Sequence, residues 1–252
     1  MEFYQIIIAI VGGFLAGVIN TLAGNGSAIT LSILTEVMGL PGNVANGTNR
    51  IGIAFQTLIS SYTFHKAGVL RVENQWRPIS VVTIGALIGI GTALYVSHAQ
   101  FMFVFKYLIV LMFLLLLIHP KRWIQPQVSG RPWPRPILYS GLLLLGFYGG
   151  FIQMGMGLFF LAIAVLGARY TLLQANALKV MVVALYTLLA IAIFAWQGRM
   201  AWTIGLTLGI GQLLGGWLTT RYAVRYPAIN KLAYGLLIVA VGLAILSLFE
   251  IV

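Results

Sequence analysis

The sequence predicts an all-α integral membrane protein made of two homologous, inverted repeats, and three observations carry that prediction. The first is composition: 60% of the 252 residues are apolar and only 8% are charged, whereas a soluble domain dresses its surface with about 25% charged residues. The second is pattern. The apolar residues come in continuous runs rather than in alternation, which is the signature of spanning helices and not of barrel strands. The third is recurrence, because motifs of the first half return in the same order in the second.

A helix rises 1.5 Å per residue, so a ~30 Å hydrocarbon core calls for roughly 20 apolar residues. Runs near that length cover 6–24, 45–64, 78–97, 101–118, 137–157, 177–196, 202–220 and 232–249. Two shorter runs, 27–40 and 158–168, either cross with help or fold back beside their predecessors. Polar and glycine residues interrupt the runs just before each of them. "INTLAGNGS" (Ile19 to Ser27) and "FIQMGMG" (Phe151 to Gly157) therefore predict broken or re-entrant helices near 19–27 and 151–157. Backbone that leaves a helix at membrane depth must be buried in protein or line a wet cavity. The longest polar stretch, "HPKRWIQPQVSGRPWPRP", divides the chain into an N-terminal repeat over 1–118, a basic linker over 119–136 and a C-terminal repeat over 137–252. The opening "MEFYQIII" lacks a basic region and a small-residue cleavage site, so a removed signal peptide is not expected.

The repeat is read from four ordered matches. Gly13 and Gly17 recur as Gly146 and Gly150, Ala45-Asn46 as Ala175-Asn176, Gly68 as Gly198, and "IGALIG" (Ile84 to Gly89) as "IGQLLG" (Ile210 to Gly215). Such internal duplication is typical of secondary transporters. Orientation follows from the cations, since cytoplasmic loops are enriched in Lys and Arg. If each half crosses an odd number of times, Lys66, Arg71, Arg77, Lys121, Arg122, Arg131, Arg135, Arg169, Arg221, Arg225 and Lys231 share one side. Only Lys106 and Arg199 fall on the other. An even number weakens this bias, so the halves are expected to be inverted, with the linker cytoplasmic and both termini outside.

Two cations lie inside apolar runs. "VANGTNR" (Val44 to Arg50) leads into "IGIAFQTLISSYTF", and "QANALKV" (Gln174 to Val180) leads into "MVVALYTLLAIAIFAW". The chain has no aspartate, and its glutamates are Glu2, Glu36, Glu73 and Glu250. Only Glu36 is placed to approach a buried cation, so Arg50 and Lys179 cannot both have an acidic partner. Burying a charge alone costs several kcal/mol even after relaxation. Either the two cations snorkel to the headgroups, or they form one asymmetric anion site near the midplane. In the second case Arg50 makes forked contacts to an oxyanion and Lys179 supplies charge. Asn46 and Asn176 precede the two cations on neighbouring helix faces and either support the site or cap the helices. Asn49 aligns with Lys179, Thr48 lies in the same polar run, and Asn20, Thr21, Asn25 and Ser27 form the polar cluster of the first break. Gln153 and Gln212 either line the path or join helices. Gly85, Gly89, Gly211 and Gly215 read, with Gly13 and Gly17, as helix-packing residues.

"AGVINTLAGNGSAITLSIL…MGLPGNVANGTNR" and "GFYGGFIQMGMGLFFLAIAVLG…LLQANALKV" resemble the two repeat signatures of the sulfite exporter TauE/SafE family, also called the toluene-sulfonate uptake permeases. Gly198 and "GQLLGGWL" (Gly211 to Leu218) fit the same pattern, so the resemblance spans essentially the whole chain. It implies a bacterial inner-membrane transporter of small anions, often sulfur oxyanions such as sulfite or organosulfonates. The breaks depart from the family's more glycine-rich pattern, with Asn25 inside "GNG" and Met154 and Met156 flanking the second break.

The function expected is thus secondary transport of a small anion, a sulfur oxyanion before a small organic carboxylate. A non-transporting membrane assembly protein is the alternative, and it leaves the buried charge unexplained. An enzyme is not expected, since an acid–base pair is missing. There are no cysteines, and His65, His98 and His119 lack a second ligand at helical spacing, so neither cofactor nor metal is predicted. The partners expected are the anion and the lipid bilayer, with a homodimer allowed by the Gly-rich faces. The net charge of +11 reflects loops facing anionic lipid rather than nucleic acid.

Overall fold

In the computed structural model, residues 1–22, 24–69, 75–118 and 131–223 are described, together with 242, 245 and 246. The expected segment over 232–249 and most of the basic linker lie outside the described residues, as do Arg71, Lys121, Arg122, Arg225 and Lys231. The described regular structure is helical throughout. The first half contains α1 (Phe3–Leu22), α2 (Gly26–Ser32) running into a π-helical turn (Ile33–Val37), α3 (Gly42–Lys66), α4 (Trp76–Leu94) and α5 (His98–Ile118). The second contains α6 (Arg135–Phe151), α7 (Met156–Ala162) with its π-helical turn (Ile163–Gly167), α8 (Leu172–Trp196) and α9 (Trp202–Ala223).

The elements of the two halves match in length. α2 and α7 each have 7 residues, their π-helical turns 5, and α3 and α8 25. Local chemistry sets these ends. Thr171 and Gln174 form a capping box at the start of α8. Pro41 precedes α3, whose first N–H, from Gly42, donates to His98 Nδ1 at 2.8 Å. Past the ends of α3 and α8, Gly68 and Gly198 take left-handed φ values of +71° and +65°, the usual glycine stop.

Among the described residues, α1, α4 and α8 are long and apolar enough to cross a membrane. Their outer faces fit that medium, since Ile84 is 54% exposed and Ile88 56% exposed on α4. Trp76, Trp133, Trp196 and Trp202 are exposed at helix ends, where amphipathic rings sit at the headgroup level.

Packing between the halves is reciprocal. Gly13 and Gly17 of α1 lie on the Leu208 and Gln212 carbonyls of α9, and Gly146 and Gly150 of α6 lie on the Val82 and Ala86 carbonyls of α4. The return contacts repeat the exchange, with Gly211 and Gly215 on the Ile10 and Phe14 carbonyls, and Gly85 and Gly89 on those of Leu143 and Phe147. These glycines are therefore packing residues, as expected: a Cβ at any of them would collide with backbone.

α2 folds back along α1, with Gly26 beside Ala16 and Asn20, Ile33 beside Gly12, and Val37 accepting from Gln5. The segment over 27–40 thus returns beside its predecessor. α9 runs alongside α3 from Thr48–Ala201 to Ser60–Thr220. α8 runs the opposite way, placing Phe194 at Gly47 and Ala177 and Val180 at Phe64. This arrangement collects Lys66, Arg77, Arg131, Arg135, Arg169 and Arg221 at one end of the bundle, hereafter the basic end. Glu2, Glu36 and Arg199 lie at the other.

Candidate functional site

The two helix breaks meet at the centre. Gly157 N–H donates to the Gly24 carbonyl at 3.2 Å, and the two α-carbons approach so closely that neither residue could carry a Cβ. Gly24 also needs its freedom of φ, at +75°. In the second break Gln153, not a glycine, is left-handed with φ +68°, a conformation that costs about 1–3 kcal/mol and persists where surroundings hold it. They hold it firmly here: Gln153 Oε1 accepts from Arg50 Nη1 and, at 2.9 Å, from the Tyr186 hydroxyl.

Arg50 and Lys179 are 0% and 2% exposed, so neither reaches the headgroups, and snorkelling is set aside for both. Each reaches across to the break of the other half. Arg50 Nη1 donates to the Gly149 carbonyl at 2.9 Å and Nη2 to Gly150 at 2.7 Å, at the C-terminal end of α6. Lys179 Nζ donates to the Asn20 and Thr21 carbonyls, both at 3.0 Å, at the C-terminal end of α1. The count of glutamates misses these partners. Helix C-terminal carbonyls carry the negative end of the dipole and stabilise a cation there. Glu36, the one carboxylate placed to help, is exposed instead.

The asparagines flank these contacts. Asn46 Oδ1 accepts from Arg50 Nη2 at 3.3 Å while its amide donates to Phe151 O at 2.8 Å. Asn176 Oδ1 accepts from Lys179 at 2.8 Å. Capping is overturned for both, because the caps of α3 and α8 are Pro41 and Thr171. Asn49 Oδ1 accepts from Thr30 at 2.6 Å, and the Thr48 hydroxyl accepts from Ala201 N–H at 2.9 Å, so Thr48 serves the α3–α9 contact. Asn20 donates to Gln56 at 2.7 Å and Thr21 to the Gly17 carbonyl at 2.8 Å. Ser27, Asn25 and Gln212 are buried beside these groups.

Several buried atoms here have no partner among the described residues: Asn25 Nδ2 and Oδ1, Asn49 Nδ2, Arg50 Nε, Gln212 Nε2 and Thr187 Oγ1. Four of these six can only donate. A buried donor left unmatched costs about 1–3 kcal/mol, so this concentration at the breaks is chemically informative. Sequence reading overlooked Gln56, Tyr186, Thr30 and Thr187. A glutamine deep in an apolar run was the available signal for Gln56, and Tyr186 is its repeat equivalent.

Two half-helices that touch at glycine, each closed by a cation from the opposite half, match the arrangement of a membrane carrier. Residues 9–245 fit the model of the sulfite exporter TauE/SafE family. The chain belongs to that family. It is 28% identical over 246 residues to a probable membrane transporter protein, ORF9, of Sinorhizobium sp, covering 97% of this chain and 93% of that one. A probable membrane transporter protein of Haemophilus influenzae is 27% identical over 212 residues, with coverages of 83% and 81%. The probable membrane transporter protein YfcA of Escherichia coli strain K12 is 24% identical over 207 residues, with coverages of 82% and 76%. No solved structure matches the chain. This TauE/SafE protein is thus a membrane transporter.

Proposed function

We propose that this TauE/SafE protein is a multi-pass, inverted-repeat secondary transporter of the cytoplasmic membrane that carries a sulfur oxyanion, sulfite or an organosulfonate, and is not an enzyme. The observation that carries the proposal is the donor excess at the touching breaks. Among the described residues, Asn25 Nδ2, Asn49 Nδ2, Arg50 Nε and Gln212 Nε2 lack acceptors beside two buried cations, and no carboxylate is buried. An oxyanion supplies several acceptors in one small body, and Arg50 Nε is the guanidinium edge left for it. Asn46, Asn176, Asn20 and Thr21 hold the two cations or the break, and Gln153 fixes the left-handed turn; Ser27 completes the polar shell, while Thr48 serves the α3–α9 contact.

Inversion is supported by direction. α1 lies parallel to α9 and α6 parallel to α4, while α8 opposes α3, so the equivalent helices α1 and α6 run oppositely. The six cations at the basic end favour that end as cytoplasmic. The test is counterflow of radiolabelled sulfite in proteoliposomes. Uptake into sulfite-loaded vesicles, competed by methanesulfonate and not by acetate, is the expected result. Uptake no greater than in protein-free vesicles refutes the proposal.

A further inference from the structure

The two halves differ where their equivalent seams leave the centre. On the α3–α9 seam a file of polar side chains runs from the first break toward the basic end. Gln56 Nε2 donates to Thr21 Oγ1 at 2.9 Å and to Ser60 Oγ at 3.2 Å. Thr220 then donates to Ser60 at 2.9 Å. Thr220 also lines a groove of about 470 Å³ at the helix ends, with Thr63, Lys66, Trp217 and Arg221. The Arg221 guanidinium lies over the Trp217 ring at 5.5 Å.

The equivalent seam, between α8 and α4, leads to the opposite end. Ser60 corresponds there to Ala190, and Gly216, whose carbonyl receives the Ser60 and Thr220 hydroxyls, corresponds to Ile90. Ile90, Ala93, Ala190 and Phe194 form a closed apolar cluster. Two seams related by duplication thus have opposite chemistry. A polar file through membrane depth costs stability unless water or a polar ligand uses it, whereas an apolar cluster excludes both.

We infer that the α3–α9 seam is the path by which an oxyanion passes between the central breaks and the basic end, with the Lys66–Arg221 groove as its collecting site. The apolar α8–α4 seam is the seal against the opposite side. This inference rests on the anion reading above. Serine and threonine hydroxyls donate to an anion and re-form their own hydrogen bonds behind it. The groove's two cations raise the local concentration of anions at the mouth.

The chain has no cysteine, which makes accessibility the direct test. Ser60→Cys and Thr220→Cys are placed on one seam, Ala190→Cys and Ile90→Cys on the other, two per seam so that one poorly folded variant leaves the comparison intact. Sealed vesicles of each orientation are treated with a membrane-impermeant anionic maleimide, and parent vesicles are assayed in parallel for sulfite counterflow. The Ser60→Cys and Thr220→Cys variants should react at least about tenfold faster than the other pair, and only from the basic end. Lys66→Gln with Arg221→Gln should slow that reaction and lower sulfite uptake at low concentration. Equal reactivity of the two seams in a parent that transports sulfite overturns the path and leaves the transporter. A reactive α3–α9 seam in a parent that moves neither sulfite nor methanesulfonate overturns the anion reading instead.

Discussion

Arg50 offers the sharpest test of the crosswise arrangement, because a stabilising role and an anion-binding role predict different patterns. Replacing it with Gln removes the donors to the Gly149 and Gly150 carbonyls and to Gln153. Hydrogen bonds from a charged donor contribute about 1.5–3 kcal/mol each, and each buried acceptor left bare costs about 1–3 kcal/mol. Relief from burying the guanidinium offsets part of that loss, several kcal/mol per ion. The net expectation is a destabilisation of about 2–4 kcal/mol, from the lost bonds less the relieved burial of charge. At roughly 2–4 °C per kcal/mol for a chain of this size, Tm in detergent should fall on the order of 10 °C. Arg50→Lys should recover about half, since one ammonium reaches a carbonyl but cannot span Gly149, Gly150 and Gln153 together. Sulfite should raise the parent's Tm through mass action, by about 2.7 kcal/mol at 100 times its Kd. It should protect Arg50→Lys much less, because the Nε edge is gone. The assay is a melting curve of purified protein with and without sulfite. An Arg50→Gln protein that melts with the parent and gains the same protection refutes both roles.

Asn176→Asp keeps the acceptor for Lys179 but adds a negative charge, so it should fold normally and lose sulfite binding by at least about tenfold, read by the same protection assay. Gly150→Ala drives a Cβ onto the Ala86 carbonyl and should cost about 1–3 kcal/mol. Gly91→Ala, with nothing within 4 Å, should be neutral or gain about 0.5–1 kcal/mol as a helix-interior substitution; denaturation of the pair checks both. Cysteines introduced at Ser97 and at Ser129 of the basic linker should label from opposite sides of intact cells, and labelling from the same side contradicts the inverted topology.

The helix breaks were legible because Asn20, Asn25, Gln153 and their glycines have no other reason to interrupt hydrocarbon-length runs. The packing glycines were legible because they recur at matched offsets. What the sequence hid was the pairing of the cations. A tally of carboxylates left Arg50 and Lys179 without partners, yet each meets main-chain carbonyls, which every residue has and no composition reveals. Their location depends on which helix end the fold brings near, a property of the crossed halves and not of any local motif. The re-entrant course of α2 was equally hidden. Its length allowed either a crossing or a return, and only its contacts with Gly12 and Ala16 decide between them.

That crossed pairing bears directly on coupling. Arg50 belongs to the first half and grips the second, while Lys179 belongs to the second and grips the first. Rocking one half against the other strains or breaks both grips, and four carbonyl contacts of about 1.5–3 kcal/mol each make that motion expensive without a replacement. A bound oxyanion, on the reading proposed above, is such a replacement, because its oxygens accept from the same cations as the carbonyls let go. On that reading the loaded protein would cross a lower barrier than the empty one. A ligand shifts a conformational equilibrium only through differential contacts, and the proposed reading supplies one: carbonyls hold the cations at rest, and on that reading the anion would hold them in transit. A snorkelling cation offers no such exchange of partners, and neither does a cation neutralised by a carboxylate, which would compete with the substrate at every stage of the cycle. On that proposed reading, the scarcity of acidic residues in this chain is a requirement of the site rather than a by-product of membrane composition.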